Sequence, residues 1–392
     1  MQDIEQIDWE MVLLADELRE SASAWRKIVN LVRGIGGFFL RRSIPEVRVD
    51  SGTVLCVKSM ARADYDAQWA LTLNCIDEKK HAVLIEWKRG LSFDPIKRLK
   101  YLPLAWRAAN KKKSLLDRLS GTVRSLYCMD AIHAFREVAP AKVLFFAEMR
   151  PAENVLVQFF NLKNIPTATL QHGLFIDYGA KKTVNRLNYE GSCAQAFLAW
   201  GEETGHLIQR FNPSVDVVIC GALHIEGQPE EADPPCVYVV LDADINRHEN
   251  EILLDVGRRL GRALSLEFVA CCHPRNRTDW YDLEGYSPLP PRDEYSRKGY
   301  VLGHTTTQLL KLARLGKRVF KLKSAEPCNR MIPDAVSFSD FDELQSKINS
   351  GDYPFEWSYA HVACIGDDAQ VRYSEFFNEW ENGYKSPKAS DK

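Results

Sequence analysis

Three stretches decide the fold. Val237-Tyr238-Val239-Val240-Leu241 runs into Asp242-Ala243-Asp244, and Phe268-Val269-Ala270-Cys271-Cys272 runs into His273-Pro274-Arg275. Gly299-Tyr300-Val301-Leu302 runs into Gly303-His304-Thr305-Thr306-Thr307. Each is a short apolar run that stops at polar residues, as strands buried on both faces of a parallel sheet do. A helical pattern follows the third at once. In open α/β sheets ligands lie at the carboxyl ends of strands. A helix start adds free N–H groups and a dipole end that favours an anion. Three such ends in one half of a chain predict a site for a phosphorylated ligand, with a nucleotide as the natural candidate.

The same alternation extends outward. Upstream, Thr53–Val57, Ala82–Glu86, Val143–Phe146, Thr167–Leu170, Ala196–Trp200 and Val215–Ile219 read as strands. Glu153–Asn161 and Glu203–Phe211 read as helices, and Ile96 to Arg136 as a mostly helical tract broken at Pro103. Downstream come helices at Glu249–Ala263, Asp340–Ile348 and Val371–Trp380, and a strand at Arg318–Leu322. Strands alternating with helices imply parallel sheets and right-handed crossovers. The stretch 227–235, rich in proline and acid, reads as a linker between two α/β halves.

The 392 residues are comfortable for two domains, and 45% hydrophobic with 27% charged residues is a soluble globular composition. A net charge of −2 gives no global attraction to nucleic acid. The acidic start Met1-Gln2-Asp3-Ile4-Glu5 does not read as a secretory leader, and no run has the length of a membrane span. Ten scattered cysteines without a CxxC pair predict reduced thiols and a cytoplasmic protein, with no zinc site.

Four constellations are candidates for chemistry. Gln171-His172-Gly173 follows a strand. Gly173 permits a tight turn or a close ligand, and His172 is a base or a donor, or else an ordinary loop histidine. His273 is held extended by Pro274 beside Arg275, suited to a leaving phosphate. His304-Thr305-Thr306-Thr307 places hydroxyls at a helix start; one threonine is an ordinary N-cap, and three exceed that need. Glu148, Asp242 and Asp244 stand at strand ends as candidate bases or as caps. The Gly34-Ile35-Gly36-Gly37 stretch follows no strand and is given no dinucleotide role.

These residues also carry a resemblance. Thr167 to Gly173, then Phe197-Leu198-Ala199-Trp200-Gly201-Glu202, then Val218-Ile219-Cys220-Gly221 look like bacterial surface-polysaccharide glycosyltransferases of the GT-B fold. His273-Pro274 and the Gly303 to Thr307 turn resemble the HP and Ser/Thr motifs of sialyl- and Kdo-type transferases. The resemblance spans Val143 to Trp380. It implies an α/β GT-B fold, two Rossmann-like domains facing a cleft. Residues 1–226 would form the acceptor-side domain with a helical N-terminal region, 227–235 the linker and 236–370 the nucleotide-sugar domain. Residues 371–383 would form a helix crossing back to the first domain.

It further implies transfer from a nucleotide-sugar, CMP-sugar first, to a glycan or lipid-linked glycan. No cofactor and no metal are expected. His273, Arg275, His304, Thr305, Thr306, Thr307, Gln171 and Gly173 would bind the donor. His172, Glu148 and Asp242 would serve catalysis. This chain has threonines where relatives have Ser-Ser, and it lacks an acidic-acidic-glycine motif for the acceptor base. The alternatives are a nucleotide-sugar epimerase, which can share this architecture, a glycerol-phosphate transferase, and a non-catalytic glycan- or nucleotide-binding subunit of a polysaccharide assembly complex.

Between Lys88 and Arg124 only Asp94 and Asp117 oppose Lys88, Arg89, Lys97, Arg98, Lys100, Arg107, Lys111, Lys112, Lys113, Arg118 and Arg124. The run reads as a solvated face, or as a peripheral contact with anionic lipid through Tyr101, Leu104 and Trp106.

Overall fold

The computed structural model describes residues 2–14, 24–40, 49, 52–59, 63–85, 99–110, 114–179, 183–225, 232–273, 276–288, 295–324 and 332–381. Two parallel six-stranded sheets organise them. The first is built from β1 (Val54–Lys58), β2 (His81–Ile85), β3 (Lys142–Phe145), β4 (Thr167–Leu170), β5 (Ala196–Ala199) and β6 (Asp216–Ile219). Its order is β2-β1-β3-β4-β5-β6. The second is built from β7 (Ala232–Val240), β8 (Glu267–Cys271), β9 (Ser287–Pro288), β10 (Arg297–Gly303), β11 (Arg318–Leu322) and β12 (Ser337–Phe338). Its order is β12-β11-β10-β7-β8-β9.

Each sheet therefore has one place where the chain reverses its direction of growth. In the first it lies between β1 and β3, in the second between β7 and β10. Crevices open at such switch points, outside the carboxyl ends of the strands.

Alternate side chains of each strand feed two cores, one per face. Leu55, Val57, Val143 and Phe145 pack on helices Leu115–Ala134 and Pro151–Leu162. Val54, Cys56, Leu144 and Phe146 face the other way. There they meet Trp69 of helix Ala63–Leu73 and Tyr373, Phe376, Phe377 and Trp380 of the last helix, Gly366–Glu381. Full burial of such a side chain is worth about 1.5–3 kcal/mol, so this aromatic row fixes the last helix to the first sheet. In the second sheet Val237, Val239 and Leu302 pack on helices Arg247–Leu264 and Phe341–Ser350. Tyr238, Val240 and Val301 pack on helix Thr307–Arg314.

The return crossing is zipped to the first sheet's edge. Ala363 N–H donates to the Trp200 carbonyl at 2.8 Å, and Ala222 N–H to the Cys364 carbonyl at 2.9 Å. Between them Gly221 has φ +82°, and a Cβ there would stand 2.4 Å from the Cys364 carbonyl oxygen. Only glycine permits both the left-handed backbone and that approach.

Several expectations shift. β7 starts at Ala232, inside the expected linker, and 227–231 lie outside the described residues. The two-residue edge strands β9 and β12 and helix Ala63–Leu73 had no sequence counterpart. The break expected at Pro103 falls at 100–101, where a turn separates helical Leu99 from the helix that Pro103 helps to start. Pro103 sits in the first turn of helix Leu102–Ala108, where its missing N–H has no partner to lose. The Gly34 to Gly37 stretch lies within helix Ala24–Leu40. Tyr101 cannot insert into lipid, being 9% exposed and within hydrogen-bond distance of His133 Nδ1 at 3.3 Å. Trp106 is covered by the Arg118 guanidinium at 3.9 Å, and Leu104 packs against the core. The nine cysteines among the described residues form no disulfide.

Candidate functional site

At the second sheet's switch point the ends of β7 and β10 are joined by Asp242. Its carboxylate accepts from Thr305 N–H at 2.9 Å, Thr305 Oγ1 at 2.5 Å and Asn246 Nδ2 at 3.1 Å, and His304 Nδ1 lies 3.2 Å away. Burial pushes this carboxyl up, but the hydrogen bonds from His304 and Thr305 outweigh it and hold the group below its ordinary value. The Asp242 backbone is clasped as well. Its N–H donates to Asn250 Oδ1 at 2.9 Å, and its carbonyl accepts from Asn250 at 2.9 Å and Asn276 at 2.8 Å.

The network continues to both neighbouring strands. His304 is fully buried, with Nε2 2.6 Å from Ser324 Oγ after β11. Asp244 accepts from Asn276 at 2.8 Å, Tyr281 at 2.9 Å and Arg277 N–H at 3.1 Å, and the Asn276 bond leads in lowering its carboxyl. His273, half-buried after β8, donates its N–H to Asn276 Oδ1 at 2.6 Å, and Asn276 N–H returns to the His273 carbonyl at 2.8 Å. Pro274 and Arg275 lie outside the described residues.

Three sets of expected site residues are engaged within the protein. His304, expected at the donor, has no exposed surface, and its two ring nitrogens face Asp242 and Ser324. Asp242, expected at the chemistry, takes all four of these contacts on Oδ2 and has its basicity lowered. The threonines are not surplus hydroxyls. Thr305 donates to Asp242, Thr306 caps the helix by accepting from Gln308 N–H at 3.2 Å, and Thr307 accepts from Leu174 N–H at 3.2 Å. What this turn offers a phosphate is the backbone N–H set of a helix start.

The first sheet's switch point is bridged in the same manner, by Glu153. It accepts from Ser59 N–H at 2.8 Å and Ser59 Oγ at 2.5 Å after β1, and from Ala147 N–H at 2.7 Å after β3. Lys58, buried at the end of β1, pairs with the half-exposed Asp66. Glu148, expected as a base, is bonded within the protein. Its carboxylate accepts from Ser192 Oγ, Cys193 N–H at 3.1 Å and Ala194 N–H at 2.9 Å, all on the segment leading into β5. Burial pushes it up to about 7 against those bonds.

Gln171 is likewise bonded within the protein. Its Oε1 accepts from Trp200 N–H at 2.7 Å and its Nε2 donates to the Gly173 carbonyl at 2.9 Å. Its own carbonyl accepts from Gln68 at 2.7 Å. Gly173 is not required by its turn, since its φ lies outside the left-handed region and no atom stands within 4 Å of where a Cβ would be. The open space lets a ligand approach the backbone. His172 is 8% exposed in a box of rings, with centroids at 5.4 Å to Phe175, 5.5 Å to Tyr65 and 5.9 Å to Phe146.

His172 and Gly173 therefore reach the helix start of the second sheet through the next residue, Leu174. Trp200, Leu310, Val362 and Leu174 form one apolar cluster at this junction. His273 stands at the same carboxyl edge of the second sheet, after β8. Sequence reasoning missed the braces Glu153, Asn246, Asn250 and Asn276. Only Asn276 left a local signal, an asparagine just after a proline at a strand end, where Asn side chains bond nearby backbone.

No family model matches the chain, and no curated protein sequence does. Solved structures do. UDP-N-acetylglucosamine 2-epimerase from Rickettsia bellii is 10% identical with TM-score 0.53, over 86% of this chain and 97% of that one. The Methanocaldococcus jannaschii UDP-GlcNAc 2-epimerase is 9% identical with TM-score 0.51, over 84% and 99%. The glycotransferase of kitacinnamycin is 9% identical with TM-score 0.50, over 85% and 99%. Such a likeness is one of fold. The chain has the GT-B fold, two Rossmann-like domains.

Proposed function

We propose that this protein is a glycosyltransferase that moves a sugar from a nucleotide-sugar to a glycan or lipid-linked glycan acceptor. The observation that carries the reading is the junction of Leu174 with Thr307, which brings His172 and Gly173 close to a helix start. The donor phosphates sit on the N-terminal amides of helix Thr307–Arg314, in place of a cation, with His273 beside them. His172 faces the sugar or the acceptor hydroxyl as general base, and Gly173 leaves room for the ligand. Asp242, His304, Thr305, Gln171 and Glu148 position these groups without touching the substrate. The resemblance to bacterial surface-polysaccharide transferases favours a CMP-sugar donor and a cytoplasmic site of action, in capsule or lipopolysaccharide assembly.

A second reading is a nucleotide-sugar epimerase, favoured by the names of two of the solved structures that share the fold. A thermal-shift screen of CMP, CDP, UDP, GDP and their sugars identifies the nucleotide. Nucleotide released only when an acceptor is present supports transfer. Isomerised sugar without acceptor supports the epimerase, and tight binding with no turnover a binding subunit.

A further inference from the structure

Helix Ala24–Leu40 carries an apolar stripe on the side away from the protein. It packs on helix Leu115–Ala134, and a Cβ at Gly34 would stand 3.5 Å from Val123 Cγ1, which marks the inward face. With about 3.6 residues per turn, Trp25, Ile28, Val32 and Ile35 share one stripe that looks away from Gly34. All four are exposed, Trp25 by 71% and Val32 by 63%. In the same helical layer Leu99, Leu102 and Leu115 are exposed too. A contiguous apolar stripe of this kind marks an interaction surface.

Charge says which. From Ala24 to Pro45 the sequence has Arg26, Lys27, Arg33, Arg41 and Arg42 and no acid. From Pro95 to Ser114 it has Lys97, Arg98, Lys100, Arg107, Lys111, Lys112 and Lys113, again with no acid. Arg33 is itself exposed on the helix. Among the described residues, Arg33, Lys100 and Arg107 are exposed in this layer, with Asp117 near Leu115 and Glu5, Asp8 and Glu10 near Arg107. An apolar stripe beside exposed cations, in sequence stretches rich in lysine and arginine, is the pattern of a helix lying in a lipid headgroup layer. Among the described residues no helix is long and apolar enough to cross a membrane.

We infer that the Ala24–Leu40 helix docks this protein on an anionic bilayer surface. Trp25, Ile28, Val32 and Ile35 enter the acyl boundary, and the exposed Arg33 meets the phosphates. The expected inserting residues Tyr101 and Trp106 take no part. The inference is independent of the enzymatic reading, because its test measures no turnover.

The test is flotation of the full chain with vesicles of phosphatidylcholine alone and of an equal mixture with phosphatidylglycerol. The protein should float with the mixture at low salt and stay behind with phosphatidylcholine. Trp25→Ser with Val32→Ser should lower partitioning about tenfold to hundredfold, and Arg33→Glu about fivefold. These side chains are exposed, so melting temperatures should not move. Three results would overturn the proposal: no flotation, equal flotation with both vesicles, or a double variant that floats like the wild type. A dimer in sedimentation velocity that the double variant dissolves, without flotation of the wild type, would overturn it in favour of self-association.

Discussion

The N–H of Leu174 donates to Thr307 Oγ1 at 3.2 Å, and the two residues belong to the carboxyl edges of different sheets. The loop after β4 is thereby held against the helix start after β10. Thr307→Val keeps the shape and removes the acceptor. We expect a loss of about 1 kcal/mol in urea denaturation, and turnover reduced with it. Thr307→Ser should behave as wild type. A valine variant of unchanged stability and turnover would show that this bond does not join the edges.

Asp242 should contribute stability with a defined pH window. Its folded carboxyl is held below the unfolded value of about 3.9. A depressed acid stabilises the fold above its unfolded value and loses that contribution as pH falls through the folded one. Asp242→Asn should cost about 2–3 kcal/mol near neutrality, with the gap between wild type and variant narrowing as pH falls through the folded value. A gap that stays constant from neutral to acid pH would contradict the charge-based account.

Glu148 carries the opposite sign. Burial raises it to about 7, so between about 4.3 and that value the folded state binds the extra proton. Stability from this group is present below the unfolded value and is lost as pH rises through the folded one. Glu148→Gln should flatten the decline of the urea midpoint between mildly acid and neutral pH. It should leave nucleotide affinity unchanged. A variant that loses turnover at saturation while keeping its fold would return Glu148 to the chemistry.

His172 and His273 should separate kinetically. A positioned general base typically contributes about 10²–10⁴-fold in rate, so His172→Ala should lower kcat by that order and leave nucleotide binding intact. His273→Ala should weaken nucleotide binding instead, with the fold unchanged. The reverse assignment follows if His172→Ala loses nucleotide affinity at constant kcat. Full activity in His273→Ala would remove that residue from the site.

Strand ends were legible because both sheets are parallel and covered on both faces. A doubly buried strand is a continuous apolar run, and it announces its end by turning polar, as at Asp242, His273, His304 and His172. Helix positions followed from periodicity, as in Arg247–Leu264. Strand order was not legible, since pairing of β10 with β7 rather than β9 depends on no local residue. The switch points, and the acids Asp242 and Glu153 that bridge them, were hidden for the same reason.

The amino-acid sequence by itself thus determined the α/β class and the strand ends, because these depend on burial and polarity along neighbouring positions. The tertiary structure alone decided which distant partners those polar groups meet. Asp242 meets Thr305 across 63 positions and Leu174 meets Thr307 across 133. A hydrogen-bonding group is spent or spared by whatever distant residue the fold brings within about 3 Å of it. So His304 became an internal strut, and the apolar stripe of Trp25, Ile28, Val32 and Ile35 turned out to face away from the protein.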